Sequence, residues 1–267
     1  METEVLVSTM NLKSQQELVK KLNVKKNVII NQTSDINNVK DVIYGKNRLY
    51  SYNERGLSKS RNKAIMNSNA DICIIADDDL KYESDYEEKI KNGYKKYKDA
   101  GIIAFYVDNV DKKFEKKKRK EGKINLITSM KIQSVQITFK RKSIIDKKIK
   151  FNELFGTGTE LYSGEENIFL ADCIRNNLKI YYIPEKIATI QDNSSTWRKG
   201  YDKQYFYTKG ATFYAISNIW YYVFILQFVI RKRNMYANEI NLMKAFRYMI
   251  EGAREYKKYT NRHKKVR

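Results

Sequence analysis

The feature that most constrains the fold is a series of short apolar runs that alternate with segments of helical character. Val5 to Thr9, Val28 to Ile30 and Ile72 to Ala76 are the candidate strands, and candidate helices over Lys13 to Leu22 and Leu57 to Asn67 lie between them. Continuous apolar runs are typical of strands buried on both faces, and their alternation with helices is typical of a mostly parallel sheet. The sequence therefore predicts an α/β fold with an open, mostly parallel sheet.

Further runs continue this pattern along the chain. Lys179 to Ile183 ends at Pro184, which cannot donate to a sheet ladder and is therefore expected at the exit of a strand. The alternation of apolar and polar residues over Ile132 to Phe139 predicts a half-buried strand. The remaining predicted elements are strands over Leu49 to Tyr52 and Ile102 to Val107, and helices over Ser84 to Lys98 and Glu165 to Asn176.

A strongly apolar and aromatic segment, Ala211 to Ile230, lies in the C-terminal part of the chain and precedes the basic residues Arg231 to Arg233. Its length barely suffices to cross a bilayer, and polar residues interrupt it. Three interpretations are open: a core helix, a helix on a membrane surface, and a membrane span. Trp220 to Tyr222 are residue types that favour the membrane interface, and basic neighbours favour an anionic leaflet. We expect contact with an anionic membrane surface rather than a span.

The domain organisation follows from the absence of any linker rich in Pro, Gly or Ser within the 267 residues. We expect a catalytic domain over residues 1–205 and a basic, aromatic helical extension over residues 206–267, where apolar residues from Leu242 to Tyr256 recur at helical spacing. The N-terminus lacks the basic and apolar regions of a signal peptide. This predicts a cytoplasmic protein, peripheral on the inner face of the cell membrane.

The chain is strongly basic, with 52 Lys and Arg residues against 31 Asp and Glu residues and a formal net charge of +21. Such an excess favours a polyanionic partner, although a bias of composition toward lysine explains it equally well. A basic nucleic-acid-binding protein is the alternative function, supported by the interleaved Tyr and Lys residues of Tyr94 to Lys98. That alternative leaves the acidic residues described next without a role, so no nucleic-acid partner is expected.

Three adjacent carboxylates, Asp77, Asp78 and Asp79, directly follow the candidate strand Ile72 to Ala76. The carboxyl ends of strands form the edge of an open α/β sheet where ligands bind. Adjacent carboxylates repel one another and stay ionised together when a cation compensates their charge, and hard oxygen ligands suit Mg²⁺ or Mn²⁺. The triplet therefore indicates a divalent cation, and the alternative is a charged turn at a strand end.

A second acidic pair, Glu165 and Glu166, opens a predicted helix after the glycine-containing stretch Gly156 to Gly164. The positive end of the helix dipole and the free N–H groups there favour the anionic form of a carboxyl. That property suits a general base which must start deprotonated, and it equally suits a helix-capping residue. The only histidine, His263, lies in the basic tail, so a histidine base in the core is not available.

The order of these motifs resembles the family 2 glycosyltransferases. The resemblance rests on Val5 to Asn11, Glu54 to Asn62, Asp77 to Asp79 and Gly164 to Glu166. It implies the GT-A fold, a single Rossmann-like sheet that binds a nucleotide-diphosphate sugar, most commonly a UDP-sugar, and Mn²⁺ or Mg²⁺ through a DXD motif. It also implies transfer of the sugar, with inversion, to a glycan or a lipid-linked acceptor in the synthesis of a surface polysaccharide.

The resemblance also assigns roles to single residues. It makes Glu166 the catalytic base, and it makes Asp79, together with Asp77, the metal ligand. Gly164, Glu165 and Trp197 are expected to bind sugar or acceptor. The residues expected to contact the nucleotide part of the donor are Thr9, Asn11, Asn31, Arg61, Asp77 and Asp78.

Two positions depart from the family pattern. Asn31 and Gln32 stand where the family usually carries paired aspartates, one of which reads the nucleobase. An amide donates and accepts hydrogen bonds whereas a carboxylate only accepts them, so the identity of the base stays open. Glu165 and Glu166 stand where the family commonly has a Glu–Asp pair, so the base would carry one more methylene group.

Overall fold

The computed structural model describes residues 1–35, 39–110, 119–191 and 200–264. The strands are β1 (Thr3–Met10), β2 (Asn27–Gln32), β3 (Asp41–Tyr44), β4 (Asn47–Tyr52), β5 (Ile72–Asp77), β6 (Leu80–Tyr82), β7 (Ala100–Asn109), β8 (Gly122–Ile124), β9 (Ile137–Lys140) and β10 (Lys179–Ile190). The helices are α1 (Gln15–Leu22), α2 (Leu57–Asn67), α3 (Tyr86–Lys96), α4 (Leu126–Ser129), α5 (Arg141–Asp146), α6 (Glu165–Arg175), α7 (Lys203–Ile216), α8 (Tyr221–Arg231), α9 (Arg233–Tyr236) and α10 (Leu242–Lys264).

The strands of the described residues form one open sheet in the order β3-β4-β2-β1-β5-β9-β7-β10-β6, with β8 paired to β10. Strands β4, β2, β1 and β5 are parallel neighbours, and β10 is parallel to β7. Strands β3, β9, β6 and β8 pair antiparallel. Helix α1 forms the crossover between the parallel neighbours β1 and β2, and α2 connects β4 to β5 across the sheet. The predicted α/β fold with a parallel core is confirmed.

Successive side chains of the central strands point to opposite faces of the sheet, and both faces are buried. Val5 and Val7 belong to one apolar cluster with residues of α1 and α3, whereas Leu6 belongs to the opposite cluster with residues of α2 and α6. In β5, Ile74 and Ile75 divide in the same way. Burial on both faces is the physical reason for the unbroken apolar runs, because neither face of these strands meets water.

The half-buried strand predicted over Ile132 to Phe139 is shorter in the structure. Residues Ser134–Gln136 form a single turn of 3-10 helix, and the backbone N–H of Gln133 donates to Oε1 of Gln136 at 3.0 Å. Only β9 then pairs with β5 and β7. The alternating pattern therefore indicates that one side of the segment is buried. The hydrogen bond between Gln133 and Gln136 favours the 3-10 turn, and β9 begins after it.

Pro184 does not end a strand, so that prediction is wrong. Strand β10 continues through the proline to Ile190, and its register with β7 shifts between Ile183 and Lys186. A bulge of this kind leaves a residue outside the hydrogen-bond ladder. The missing N–H of proline is therefore accommodated within the strand.

The apolar segment Ala211 to Ile230 forms parts of two helices instead of one. Helix α7 ends at Ile216, and α8 begins after Ser217, whose Oγ accepts from the N–H of Trp220 and whose carbonyl accepts from the N–H of Tyr221, both at 3.1 Å. Within the described ranges, no helix is long and apolar enough to cross a membrane. The division at residues 205 and 206 stays a prediction, and α7 runs across it.

Helices α7 and α10 cross at a pair of glycines. A Cβ atom on Gly210 would collide with the carbonyl oxygen of Met249, and one on Gly252 would collide with the carbonyl oxygen of Tyr207. Each glycine thus lets the backbone of the other helix approach closely. The crossing fixes the C-terminal helix against α7, which also packs against α6.

We expect Gly252→Ala to destabilise the protein, although alanine has the higher helix propensity. Relieving the collision with the backbone of Tyr207 must move one helix, and overpacking of this kind costs about 1–3 kcal/mol. The measurement is the free energy of unfolding in urea, followed by circular dichroism. The control is Lys257→Ala, an exposed position on the same helix, which should change stability by less than about 0.5 kcal/mol. Equal stability of both variants would contradict the close crossing.

Candidate active site

The three aspartates lie where the parallel strands end. Strand β5 finishes at Asp77, which is level with Ser8 of the neighbouring strand β1. This register places the aspartates beside Thr9 and opposite the start of α2. They line a cavity of about 280 Å³ together with Ser8, Thr9, Met10, Gln32, Leu57, Ser60 and Thr157.

Each aspartate has a different environment. Asp78 accepts a hydrogen bond at Oδ2 from Oγ1 of Thr9, and its carbonyl oxygen accepts from Nζ of Lys21 at 2.9 Å. Asp77 accepts at Oδ1 from a guanidinium nitrogen of Arg61 at 3.2 Å. Burial, followed by the charges of Asp77 and Asp78, raises the pKa of Asp79 to about 6. Asp79 is therefore harder to ionise than an isolated aspartate side chain.

Arg61 joins this edge to the second acidic pair. Its side chain is only 1% exposed, and Nη1 donates to Oε1 of Glu165 at 2.7 Å while Nη2 donates to Asp77. Burial lowers the pKa of the Arg61 guanidinium, but the charges of Asp77 and Glu165 outweigh it and raise the pKa overall. One buried cation thus connects α2, β5 and the first turn of α6.

The two glutamates at the start of α6 differ in what they contact. Glu165 is buried and its carboxylate belongs to the Arg61 ion pair. Glu166 is half-buried, and its Oε1 accepts from Nδ2 of Asn167 at 3.3 Å. Burial and the charge of Glu165 raise the pKa of Glu166 to about 7, while the charges of Lys209 and Arg61 act in the opposite direction. Glu166 therefore combines access to solvent with a pKa near neutrality.

Lys209 faces this pair from α7, and its position could not be predicted from the sequence. It is half-buried; burial lowers its pKa, and the charges of Glu166 and Glu165 oppose that shift. One turn later, Oγ1 of Thr212 donates to the carbonyl of Ser163 at 3.4 Å. The sequence signal is the position of Lys209 in the middle of the largely apolar helix α7, which indicates a partner of opposite charge.

Gly164 is required where α7 meets the start of α6. Its φ of 97° lies in the left-handed region, and a Cβ atom there would come within 2.6 Å of the side chain of Thr212. Both the backbone conformation and the close contact select glycine. Gly164 therefore lets the backbone turn into the start of α6, whether or not it also contacts a ligand.

The predicted nucleotide-side residues lie at the ends of β1 and β2. Thr9 and Asn31 are level in the parallel pairing, and Asn11 follows in the left-handed conformation with a φ of 50°. Asn31 is buried, accepts at Oδ1 from the N–H of Leu12 at 2.9 Å and donates from Nδ2 to Oγ of Ser51 at 3.2 Å. A second cavity of about 280 Å³ adjoins it, lined by Leu12, Lys13, Ser14, Gln15, Gln16, Asn31, Lys40, Val42, Leu49 and Ser51.

The structure thus gathers most predicted site residues at one edge of the sheet. Thr9 contacts Asp78, and Arg61 joins Asp77 to Glu165, while Asp79 and Glu166 are the sequence neighbours of these groups. Trp197 lies outside the described residues. Among the residues that are described, no cluster of three or more His, Cys, Asp and Glu side chains is arranged to hold a metal ion by itself.

We expect Arg61→Met to lower the free energy of unfolding by about 3–5 kcal/mol, because it leaves the buried carboxylate of Glu165 without its partner. Adding Glu165→Gln to that variant should recover part of the loss, since the unpaired charge is removed. The measurement is urea unfolding of the single and double variants. Lys142→Met breaks an exposed ion pair with Asp146 and should cost less than about 1 kcal/mol. A loss no larger for Arg61→Met than for Lys142→Met would contradict the bridging role.

Solved structures with the same architecture include three of TarS from S. aureus, residues 1–349. The structure with UDP-GlcNAc has a TM-score of 0.67 and 12% identity, and the alignment covers 96% of this chain and 80% of that chain. The structure without a named ligand has a TM-score of 0.65 and 12% identity, with 95% and 81% covered. The structure with UDP has a TM-score of 0.61 and 11% identity, with 98% and 92% covered. At this identity the likeness shows the shared GT-A fold.

Sequence comparison identifies the family. A search of curated protein sequences finds no match to the chain. The family model described as glycosyl transferase family 2 matches residues 18–160, which is just over half of the 267 residues. The matched segment contains Arg61 and the three aspartates and ends shortly before Glu165. The chain belongs to glycosyl transferase family 2.

Proposed function

We propose that this glycosyltransferase moves a sugar from a UDP-sugar donor to a hydroxyl group of a glycan or lipid-linked acceptor, with inversion at the anomeric carbon. The observation that carries the proposal is the Arg61 bridge, which holds the aspartates at the end of β5 and the acidic first turn of α6 at one edge of the sheet. The TarS complexes with UDP-GlcNAc and with UDP support a UDP-sugar as donor.

The nucleotide is proposed to lie across the ends of β1, β2 and β5. Asp78, held by Thr9, would accept from the ribose hydroxyls, and the cavity beside Asn31 would take the nucleobase. Both amide atoms of Asn31 already bond within the protein, so that side chain is proposed to shape the floor of the base site. Lys13 and Lys40, which line the same cavity, supply hydrogen-bond donors for base carbonyls.

A divalent cation is proposed to bind at the aspartate edge. The charges of Asp77 and Asp78 contribute to the raised pKa of Asp79, and a cation beside these groups would relieve that repulsion. Asp79, together with Asp77, is proposed to hold Mn²⁺ or Mg²⁺, with donor phosphates and water as the remaining ligands. Such an ion, when bound, neutralises the diphosphate and stabilises it as a leaving group.

Glu166 is proposed as the general base. The acceptor hydroxyl must lose its proton as its oxygen bonds to the anomeric carbon and the bond to the nucleoside diphosphate breaks. Glu166 suits this role because it is partly exposed, lies in the first turn of α6 and has a pKa near neutrality. Glu165 is committed to Arg61 and is proposed to position that turn. A single displacement of this kind inverts the configuration.

The acceptor is proposed to approach from the side of α6 and α7, where Gly164, Glu165 and Lys209 lie. Trp197 is retained as a proposed sugar-binding residue. The residues of 1–205 are proposed to form the catalytic domain, to which the extension contributes Lys209 of α7. A role in the synthesis of a surface polysaccharide, at the inner face of the cell membrane, completes the proposal.

We expect Asp79→Ala to abolish the dependence of UDP binding on Mn²⁺ while the fold is retained. The reason is that the variant removes a carboxylate proposed to hold the ion. Isothermal titration calorimetry of UDP, with MnCl₂ and with EDTA, measures the effect. Asp99→Ala, which removes an exposed aspartate paired with Lys179, is the matched control and should bind like the wild type. Unchanged Mn²⁺-dependent affinity in Asp79→Ala would remove the metal site from this position.

We expect Glu166→Gln to lower the rate of sugar transfer by about 100-fold or more, because an amide cannot take the hydroxyl proton. Donor affinity and the free energy of unfolding should stay near the wild-type values. Glu165→Gln should show the reverse pattern, with a loss of stability and a smaller loss of rate per folded molecule. The measurements are turnover at saturating UDP-sugar and urea unfolding of both variants.

The pH dependence of the transfer rate also tests whether Glu166 is the base. A base works when deprotonated, so the rate should rise as pH increases through about 7, the pKa of Glu166. Lys209→Met removes a charge that lowers this pKa and should move the rise to higher pH. If Glu165→Gln lowered turnover more than Glu166→Gln does, the general base would be Glu165 instead of Glu166. Retention of configuration in the product, read by NMR, would exclude the single displacement.

A further inference from the structure

Helix α8 carries an apolar face that the rest of the described chain does not cover. Tyr222, Val223, Leu226 and Ile230 recur at helical spacing and are each at least half exposed. Phe224, Ile225 and Val229, on the opposite side, belong to the C-terminal apolar cluster. Apart from the exposed Gln227 and the terminal Arg231, the helix is therefore apolar on both sides, although only one side has a partner within the described chain.

The exposed face continues beyond both ends of α8. Ile219 and Trp220, immediately before the helix, are 75% and 58% exposed, and Met235 beyond it is 42% exposed. Other exposed apolar side chains, such as Met66 and Ile127, come from separate elements. A cluster of exposed apolar side chains along one segment indicates a site of interaction. We name this surface, Ile219 to Met235, the α8 face.

The charged residues of the segment that carries the α8 face are all basic. No acidic residue occurs between Asp202 and Glu239, and Arg231, Lys232 and Arg233 are all exposed at the C-terminal end of α8. Cations at the edge of an apolar surface complement a partner that presents negative groups above an apolar interior.

We propose that the α8 face docks on an anionic lipid bilayer, with α8 lying in the plane of the membrane. Aliphatic side chains would enter the boundary between headgroups and acyl chains, while Trp220 and Tyr222 occupy the interface that such residues favour. Arg231, Lys232 and Arg233 pair with lipid phosphates. This inference concerns a separate surface and does not depend on the proposed sugar transfer.

Docking of α8 also orients the site. Helix α8 packs on α7 through the edge-to-face pairs Phe213–Phe224, with ring centroids 5.9 Å apart, and Tyr214–Tyr221, at 5.1 Å. Helix α7 in turn carries Lys209, which faces Glu166. The membrane contact is thus connected by packed helices to the edge that holds the site, which suits an acceptor anchored in lipid.

Co-sedimentation of the full chain with vesicles tests the proposal. The vesicles are phosphatidylcholine alone, and phosphatidylcholine mixed with phosphatidylglycerol. We expect binding to the mixed vesicles that weakens with added salt, because the attraction is screened. Arg231→Gln, Lys232→Gln and Arg233→Gln together should weaken it by about 100-fold, since each basic residue near an anionic leaflet contributes about fivefold.

Two further variants separate the α8 face from general basicity. Val223→Gln with Leu226→Gln changes only exposed positions, should leave the circular dichroism spectrum unchanged and should weaken vesicle binding by at least about tenfold. Lys142→Gln, Lys147→Gln and Lys150→Gln together remove the same charge from an exposed region elsewhere and should leave most binding intact. In a Trp197→Phe background, the fluorescence of Trp220 should shift to the blue on binding.

Three outcomes would overturn the proposal. The first is a wild-type protein that ignores the anionic vesicles. The second is equal weakening by the α8 and control charge variants, which would reduce the effect to net charge. The third is wild-type binding by the Val223→Gln, Leu226→Gln variant. If the wild type self-associates in sedimentation velocity but does not bind vesicles, and the Val223→Gln, Leu226→Gln variant no longer self-associates, the α8 face binds a second copy of the chain instead.

Discussion

The buried ion pair of Arg61 is the interaction on which the rest of the site depends. A guanidinium that is almost completely removed from water requires compensating charge, and Asp77 and Glu165 supply it from β5 and α6. The stack of Arg61 over the ring of Phe151, 5.5 Å from its centroid, adds a contact from the loop before α6. The guanidinium geometry therefore sets how the two acidic clusters face each other.

This arrangement separates the chemistry of neighbouring carboxyls. Glu165 and Glu166 are adjacent in sequence, but only Glu165 is neutralised by an arginine at hydrogen-bond distance. Glu166 keeps a raised pKa because partial burial and the nearby charge of Glu165 both disfavour its ionised form. Lys209 limits that rise from across the helix interface. The carboxylate of the Arg61 ion pair and the proposed proton acceptor are thereby distinguished by their surroundings rather than by residue type.

The C-terminal helices connect this site to the outer surface. The crossing of α7 and α10 needs Gly210 and Gly252, since any side chain there meets the backbone of the other helix. Helix α7 presents polar contacts to the start of α6 on one side and aromatic rings to α8 on another. The extension therefore supports the site and at the same time presents an uncovered apolar face. Sequence periodicity alone could not show which side of α8 is covered.

The sequence by itself determined the α/β class, the strand Ile72 to Ala76 and the position of the aspartates, because burial on both faces leaves an unbroken apolar run whose end is visible. It also indicated Glu165 and Glu166 as the start of a helix. Only the tertiary structure decided that Glu165 pairs with Arg61, that Lys209 faces Glu166 and that Pro184 lies within a strand. These features depend on contacts between residues far apart in the chain, and no local pattern encodes distance or desolvation.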